Sequence, residues 1–305
     1  MRKAENADSR DQQLLRLMNV RVELGTSPIF ELVEPIAHSL ILIAPERVDE
    51  IRPLVTGLVM EITDESRARC EMDSSRKIMR LSRGLLEHLW ASAYAYWILY
   101  SRPDLTQDPV DSDAMRLLRW TIENAVSHSA KPWPADLPRP SSNPRSDSDI
   151  HAANELMLSA VAFLLHHELA HFRLGHGRSP AGPDSIQQER EADYEAVRWI
   201  LEGCPKADFE KRALAAAIAF CTLINVEVHR GPRHATTHPA SYDRLINSLQ
   251  RHIDDPHHAA WGLAIIIMKL HMDSIRVDAP DRSFASAREL AEDYANILAD
   301  RLRTA

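Results

Sequence analysis

Apolar residues recur every three or four positions along most of this chain, a spacing that predicts amphipathic helices. In the first half, the pattern predicts helices over residues 11–22 and 83–100. After residue 150 it is nearly continuous, and it predicts helices over residues 152–174, 185–201, 209–229, 240–253, 257–275 and 286–302. The second half of the chain is therefore expected to be almost entirely helical.

A different pattern interrupts the first half. Residues 38–43 and 54–62 are short, apolar and rich in β-branched side chains, with prolines beside them, and these features predict strands. Residues 69–82 hold two short runs around a turn-like Asp-Ser-Ser at 73–75, which predicts a hairpin. Its second strand, residues 77–82, is expected to form an edge along which a substrate lies, with a plain hairpin as the alternative. The chain is thus predicted to be α+β, mostly α, with a small mixed sheet.

A segment rich in proline and serine, residues 131–149, separates two predicted lobes. Its five prolines and four serines cannot continue a helix and have little to bury, so a loop is expected. A loop of this length is either functional, for example as a lid, or disordered. Residues 1–130 would form an N-terminal lobe with helices and the small sheet, and residues 150–305 a helical lobe.

Composition narrows the range of functions. The 305 residues carry a net charge of −8 and no run of Lys and Arg, so nucleic acid is not expected as a partner. The first residues are polar and lack the apolar core of a secretory signal. The most apolar later stretch, residues 259–268, is too short to span a bilayer. We therefore expect a cytoplasmic protein without a membrane partner.

Two common kinds of cofactor site are not indicated. The three cysteines stand far apart, without the CxxC spacing of a thiolate zinc site, and are expected to be buried thiols. Only 9 glycines occur, and no glycine-rich phosphate-binding loop follows a predicted strand. Any cofactor is therefore expected to be a metal ion.

The predicted helix over residues 152–174 carries an HExxH motif at residues 167–171. His167 and His171 are four residues apart on one helix face, so both imidazoles can bind the same metal ion. Glu168 lies about 100° further round the helix, beside the metal rather than on it. It can then act as a general base that takes a proton from water. The spacing indicates a catalytic zinc site, with Co²⁺ or Mn²⁺ as alternative occupants of the same ligands.

A catalytic zinc needs a third protein ligand and one open position. Glu189 and Asp193 lie one turn apart on the next predicted helix. One of them can bind the metal while the other accepts a hydrogen bond from a ligating histidine. Glu191 is about 200° round the helix from Glu189 and is expected on a solvated face.

Two further histidines of this region are not expected to bind the metal. A metzincin site would need a glycine at position 174 and a histidine at position 177, where this chain has Leu174 and Gly177. His176 is therefore assigned a structural or surface role. His166 faces a different direction from His167 and is expected to pack or to support a ligand.

The sequence HHELAHFRLGH, followed by EREADYEA, resembles the gluzincin peptidases, and most closely the phage-exclusion Lit-like group. The resemblance is specific over residues 158–199. It implies a zincin-like metallopeptidase fold with a helical C-terminal lobe. It also implies Glu189 as the third zinc ligand and Asp193 as the side chain that orients a ligating histidine.

A later segment resembles the same relatives less specifically: Thr-His-Pro at residues 237–239, followed by Arg244. The resemblance makes His238 the candidate donor to the oxyanion of the reaction, with Arg244, His234 and His229 as the next candidates. The alternative is that His238 is an ordinary loop or helix-cap histidine.

The resemblance implies an intracellular zinc endopeptidase that acts on a cytosolic protein. For the Lit-like group, this implies cleavage of elongation factor Tu in phage exclusion when a phage signal is present, so an activating peptide or protein is also expected. Two alternatives stay open. One is a non-catalytic sensor or partner-binding protein that keeps the zincin fold, for which Glu168 would be dispensable. The other is a helical scaffold in which the histidines only pack.

Overall fold

The computed structural model describes residues 18–102, 112–127, 131–176, 183–230 and 239–304. The strands are β1 (Asn19–Val22), β2 (Val59–Thr63), β3 (Cys70–Asp73) and β4 (Ile78–Ser82). The α-helices are α1 (Val33–Leu42), α2 (Val48–Val55), α3 (Arg83–Ser101), α4 (Asp113–Val126), α5 (Asp149–Arg173), α6 (Pro183–Leu201), α7 (Lys206–Arg230), α8 (Ser241–Gln250), α9 (Ala259–Ser274) and α10 (Ala287–Thr304). Two short 3-10 helices, Pro28–Leu32 and Pro45–Arg47, precede α1 and α2. The predicted class, α+β and mostly α, is confirmed.

The helices predicted from apolar periodicity are confirmed wherever the pattern is long. The predicted helix over residues 83–100 is α3, and the six predicted after residue 150 are α5 to α10. The bounds of these helices differ from the predicted ones by a few residues. Serine side chains cap the beginnings of α3 and α5: Ser82 accepts from the Leu85 amide, and Ser148 accepts from the His151 amide.

Three predictions for the first lobe are wrong, wholly or in part. Residues 38–43 are predicted as a strand but belong mainly to α1, whose apolar side chains enter the core; a short apolar run looks alike in a strand and in a buried helix. Of the helix predicted over residues 11–22, Asn19–Val22 is strand β1, and residues 11–17 lie outside the described ranges. Residues 54–62 are strand only from Val59 onward, because α2 continues to Val55.

The sheet is mixed, with the strand order β1-β2-β4-β3. β1, β2 and β4 run parallel, and β3 pairs antiparallel with β4 as the predicted hairpin, with Glu71 opposite Arg80. The prediction that residues 77–82 form the edge is wrong, since β4 lies between β2 and β3. The strand of the hairpin that lies at an edge of the sheet is β3. The amphipathic pattern could reveal the hairpin but not which of its strands pairs with β2.

Helix α5 is the centre of the fold and packs against α1, α3, α6, α7 and β3. Buried apolar side chains from both predicted lobes join in one contiguous core. In that core Phe163 contacts Phe220 of α7, with ring centroids 4.9 Å apart. A buried phenylalanine contributes about 3–5 kcal/mol relative to alanine. Because Phe163 lies one turn before His167, this packing fixes the rotation of α5 and directs the HExxH histidines toward α6.

Residues 131–148 contain turns but no helix or strand, as the proline content predicts. The segment is packed onto α3, α4 and the beginning of α5. The ring of Trp133 lies 4.8 Å from that of Trp120, and the Asn154 side chain donates to the carbonyl of Ser141. Asn154 is 13 residues before His167, a distance of about 20 Å along the helix. These contacts hold the segment at the opposite end of α5 from the HExxH motif.

Among the described residues, α7 alone meets the length and hydropathy of a membrane span, with a mean hydropathy of 1.3 over its most apolar window. The bent helix pair that runs from Pro28 to Val55 would meet them if taken together. In α7, 72% of that window is buried inside the fold. The central helix of a packed core has the same properties.

Candidate metal centre and active site

Helix α5 brings His167 and His171 to one point. Their Nε2 atoms lie 3.1 Å apart, and the two rings meet edge to face. His167 is 6% exposed, whereas His171 is half-buried. Two imidazole nitrogens this close, one turn apart on a helix, can bind one ion and leave a side open to solvent.

Helix α6 supplies a carboxylate to the same point. Glu189 Oε2 lies 3.5 Å from His167 Nε2, and Glu189 Oε1 lies 3.4 Å from His171 Nε2. Ligands held tetrahedrally at the Zn–N and Zn–O distances of proteins are about 3.3–3.4 Å from one another. The two carboxylate distances involve different oxygens of Glu189. One ligand atom from each of the three side chains lies within 4.8 Å of the others, so the group can hold a metal ion such as zinc. They form the group of the described residues that could hold a metal ion.

Behind the three candidate ligands, Asp193 and Arg244 form a buried support. Asp193 Oδ1 lies 2.9 Å from Nδ1 of His167, and Arg244 donates two hydrogen bonds of 2.7 Å to the Asp193 carboxylate. The Arg244 guanidinium also lies 3.4 Å from Glu189. Asp193 thus fixes the ring of His167 with Nε2 toward the cluster, and Arg244 holds both carboxylates of α6.

The charges of this cluster favour a bound cation. Burial on its own lowers the pKa of His167, but hydrogen bonds to Asp193 and Glu189 outweigh burial and raise that pKa to about 10. The pKa of Asp193 is lowered in spite of its burial, because Arg244 and His167 stabilise its charge. The buried carboxylates therefore stabilise a positive charge beside them. In the metal-free protein the proton on His167 supplies this charge, and a divalent metal ion would supply it in the metal-bound protein.

Glu168 lies beside the cluster and faces the sheet edge. Its Oε2 accepts a 3.1 Å hydrogen bond from the backbone N–H of Met72 in β3. Burial raises the pKa of Glu168, an effect that the neighbouring His167 and His171 oppose and Glu189 increases. A carboxylate with a raised pKa is suited to accept a proton and release it again.

His176 and Glu191 lie on the outer side of His171. His176 Nδ1 is 2.9 Å from His171 Nδ1, and His176 Nε2 is 3.1 Å from Glu191 Oε2. Gln187 donates a 2.8 Å hydrogen bond to the other oxygen of Glu191. His176 is thus outside the ligand group, yet in contact with a ligand. Glu191 points away from the metal position as predicted, but it binds His176 rather than water alone.

None of the remaining candidates from the sequence joins the ligand group among the described residues. His238 and His234 lie outside the described residues. His229 is exposed at the end of α7. His166 serves packing: it donates to the carbonyl of Leu40 and stacks on Trp199, and burial lowers its pKa to about 3. Arg244, a candidate oxyanion donor, instead directs its guanidinium to Asp193 and Glu189.

Sequence reasoning missed three contacts of this site: Arg244 with Asp193, His176 with His171, and the Met72 amide with Glu168. Helical geometry could not predict the contact of His176, which depends on the turn after α5, or that of the Met72 amide, which depends on the position of β3. The sequence did contain a signal for the contact of Arg244 with Asp193. Two acidic residues one turn apart on a buried helix face require a cationic partner.

The fold and the site place this chain among α+β proteins that carry an HExxH helix and a carboxylate from the following helix. Comparison with known families assigns it further: Peptidase U49 matches residues 79–264, and the chain belongs to this family. The chain is also similar to the cell death peptidase of Escherichia coli strain K12, with 28% identity over 283 residues, which cover 85% of this chain and 94% of that protein. No solved structure matches the chain significantly.

These findings confirm the resemblance to the Lit-like peptidases and support a protease. The matched range contains the HExxH motif, Glu189, Asp193 and Arg244.

Proposed function

We propose that this protein is a zinc-dependent endopeptidase of the gluzincin type. The observation that carries the proposal is the group of His167, His171 and Glu189, whose ligand atoms lie within 4.8 Å of one another, with Glu168 beside it. A purely structural zinc site would have four protein ligands and no need of an adjacent carboxylate. Only these three side chains converge among the described residues, which leaves one position for water or substrate.

The roles of the side chains follow from their positions. A bound zinc would supply Lewis acidity to a water molecule and to the scissile carbonyl. Glu168 accepts the proton of the attacking water and delivers it to the leaving amine, a transfer that its raised pKa favours in both directions. The Met72 amide holds the Glu168 carboxylate in place. Asp193 keeps His167 in the tautomer with Nδ1 protonated, so that Nε2 is free to bind the ion.

The edge strand β3 is the proposed support for the substrate backbone. β3 is the last strand of the sheet and packs against α5, and the Met72 amide points away from β4 to Glu168. An extended peptide along this edge would gain main-chain hydrogen bonds and pass the metal cluster. This proposal replaces the predicted edge at residues 77–82.

His238 remains the proposed donor to the oxyanion. Its neighbour Pro239 is buried and lines a cavity of about 190 Å³ together with Asp193 and Arg244. The proposal for His238 rests on the resemblance of the segment Thr-His-Pro at residues 237–239 to the related peptidases.

The proposed substrate is a cytosolic protein. The resemblance of the HExxH and EREAD segments to the Lit-like peptidases makes elongation factor Tu the first protein to test, in the context of phage exclusion. A peptide or protein that activates the enzyme is part of the same proposal, since an unregulated cytosolic endopeptidase would damage its host.

The proposal is tested by cleavage of bacterial cytosolic extract and of purified elongation factor Tu by the wild type and by Glu168→Gln, with and without extract from phage-infected cells. The amide cannot accept the proton, so cleavage should fall by about 10²–10⁴-fold. Zinc content should remain at one per chain, because Glu168 is outside the ligand group.

Equal cleavage by both proteins would contradict the assigned role of Glu168. Glu195→Gln is the matched control: it makes the same change of charge on α6, where Glu195 pairs with Arg198 at 2.8 Å, and it should leave cleavage unchanged.

A further inference from the structure

We infer that His176 and Glu191 are positioning residues that hold His171 in its metal-binding orientation. The inference rests on the proposed function. It concerns His171, which among the described residues has no carboxylate on its Nδ1 such as Asp193 provides for His167. The two histidines of HExxH would then be held by different means. His167 is held by a buried carboxylate, and His171 by a buried histidine that is itself paired with an exposed carboxylate.

The turn that ends α5 places His176 beside His171. Gly175 has φ +67°, its N–H donates to the carbonyl of Phe172, and the N–H of His176 donates to the carbonyl of His171. These two hydrogen bonds and the left-handed glycine form a Schellman motif. In such a motif the residue after the glycine packs on the residue three positions before the helix cap, where an apolar pair is usual. Here the pair is His176 and His171, and its contact is a hydrogen bond of 2.9 Å.

A metal bound to His171 would fix which nitrogen carries the proton in His171 and in His176. A metal on Nε2 of His171 leaves the proton of that ring on Nδ1, so His171 donates to Nδ1 of His176. His176 must then carry its own proton on Nε2, and that N–H donates to the carboxylate of Glu191 at 3.1 Å. Gln187 holds the other oxygen of this carboxylate at 2.8 Å. Each group has one role as donor or acceptor, and all the roles agree with a metal on the inner face of His171.

The two side chains of the pair differ in burial, and only Glu191 is exposed to solvent. The side chain of His176 is 6% exposed and that of Glu191 is 46% exposed. Replacing Glu191 therefore leaves no buried charge without a partner, and the fold should tolerate it. His171 is less buried than His167, so its ring depends more on a hydrogen-bonding partner to keep one orientation.

The test measures zinc affinity by competition with a chromophoric chelator, together with the visible spectrum of the Co²⁺-substituted protein. His176→Ala should bind zinc about 10–100-fold more weakly than the wild type, the usual effect of losing a partner of a ligating histidine. His176→Asn keeps an acceptor near the position of Nδ1 and should recover most of the loss. Glu191→Gln keeps an acceptor without the charge and should weaken zinc binding by about threefold to tenfold.

Glu202→Gln is the control for Glu191→Gln. Its carboxylate is 59% exposed and pairs with Arg198 at 3.1 Å near the end of α6, so this variant loses a comparable surface pair without touching His171. Its zinc affinity and Co²⁺ spectrum should equal those of the wild type. If His176 had a purely structural role, His176→Ala would change the thermal stability but not the Co²⁺ bands. His176→Asn would then recover no zinc affinity.

Two results would overturn the inference, and they are distinguishable. If the wild type binds zinc and His176→Ala binds it equally well with the same Co²⁺ spectrum, His176 does not position His171, and the proposed function stands. If the wild type itself binds neither zinc nor Co²⁺, the proposed metal site fails, and the positioning role fails with it.

Discussion

Three buried charged side chains meet at the candidate metal centre: the candidate ligand Glu189, and Asp193 and Arg244 behind it. All three are less than a tenth exposed, and Arg244 is the cation shared by the two carboxylates. Breaking a buried pair by removing one partner costs about 3–5 kcal/mol, because the other charge remains buried without compensation. At the scale of the residue, the stability of the metal-free protein should therefore depend strongly on Arg244.

We predict that Arg244→Met lowers the free energy of unfolding of the metal-free protein by about 3–5 kcal/mol. The measurement is urea unfolding after treatment with a chelator. Arg251→Met is the control, since Arg251 is exposed and lines the same cavity. It should change the unfolding free energy by less than about 0.5 kcal/mol. An equal effect of the two substitutions would show that Arg244 does not hold the carboxylates.

The sequence predicts the candidate metal ligands better than the side chains that hold these ligands in place. His167 and His171 follow from a spacing of four residues, and helical geometry limits the third ligand to Glu189 or Asp193. Arg244 is only one of the next candidates for an oxyanion donor after His238, because a sequence does not tell which way a guanidinium points. The contact of His176 with His171 depends on the turn after α5, which the metzincin spacing does not describe.

At the scale of the element, two helices that contribute to the site are each followed within two residues by a glycine with positive φ. α5 is followed by Gly175 with φ +67° and α6 by Gly203 with φ +73°, and a Cβ atom at either position would meet nothing within 4 Å. Alanine at either position would be strained only through the backbone, at a cost of about 1 kcal/mol. The two substitutions therefore form a matched pair.

We predict that Gly175→Ala and Gly203→Ala lower the melting temperature by similar amounts, while only Gly175→Ala weakens zinc binding. The difference arises because Gly175 sets the turn that brings His176 to His171, whereas the turn at Gly203 carries no side chain of the site. Calorimetry and chelator competition measure the two effects. Equal zinc affinity in both variants would mean that the turn after α5 does not position the ligand.

Long amphipathic helices were predictable because each repeats its pattern over several turns, as in α3 and α5. Short elements were not. Residues 38–43 have the composition of a strand, but Leu40 and Ile41 enter the core from a helix. The hairpin of β3 and β4 was predicted correctly, yet its place in the sheet depends on β1 and β2, and that pairing is not encoded in the local pattern.

At the scale of the whole molecule, the core encloses histidines that are held neutral. Burial lowers the pKa of His88 to about 4, although the Thr222 carbonyl opposes the shift, and it lowers the pKa of His271 to about 4. The unfolded chain binds these protons near pH 6.5 and the folded chain does not. Their contribution to stability is thus complete above pH 6.5 and is lost as the pH falls toward 4.

We predict that the free energy of unfolding falls by about 2 kcal/mol for each of these histidines between pH 7 and pH 5. His271→Leu should remove the part of this fall that His271 contributes. Nε2 of His271 has no hydrogen-bond partner among the described residues, so the substitution leaves no polar group unpaired. His257→Leu is the control at an exposed position. Urea unfolding at both pH values measures the effect, and an unchanged slope for His271→Leu would contradict it.

The central claim is that one zinc ion, held by His167, His171 and Glu189, is required for peptide hydrolysis. The most direct test removes all metal with a chelator and then restores zinc in steps, with cleavage of a protein substrate measured at each step. We predict no cleavage without metal and a linear rise that stops at one zinc per chain. Cleavage that persists in the metal-free protein, or that is unaffected by added zinc, would contradict it.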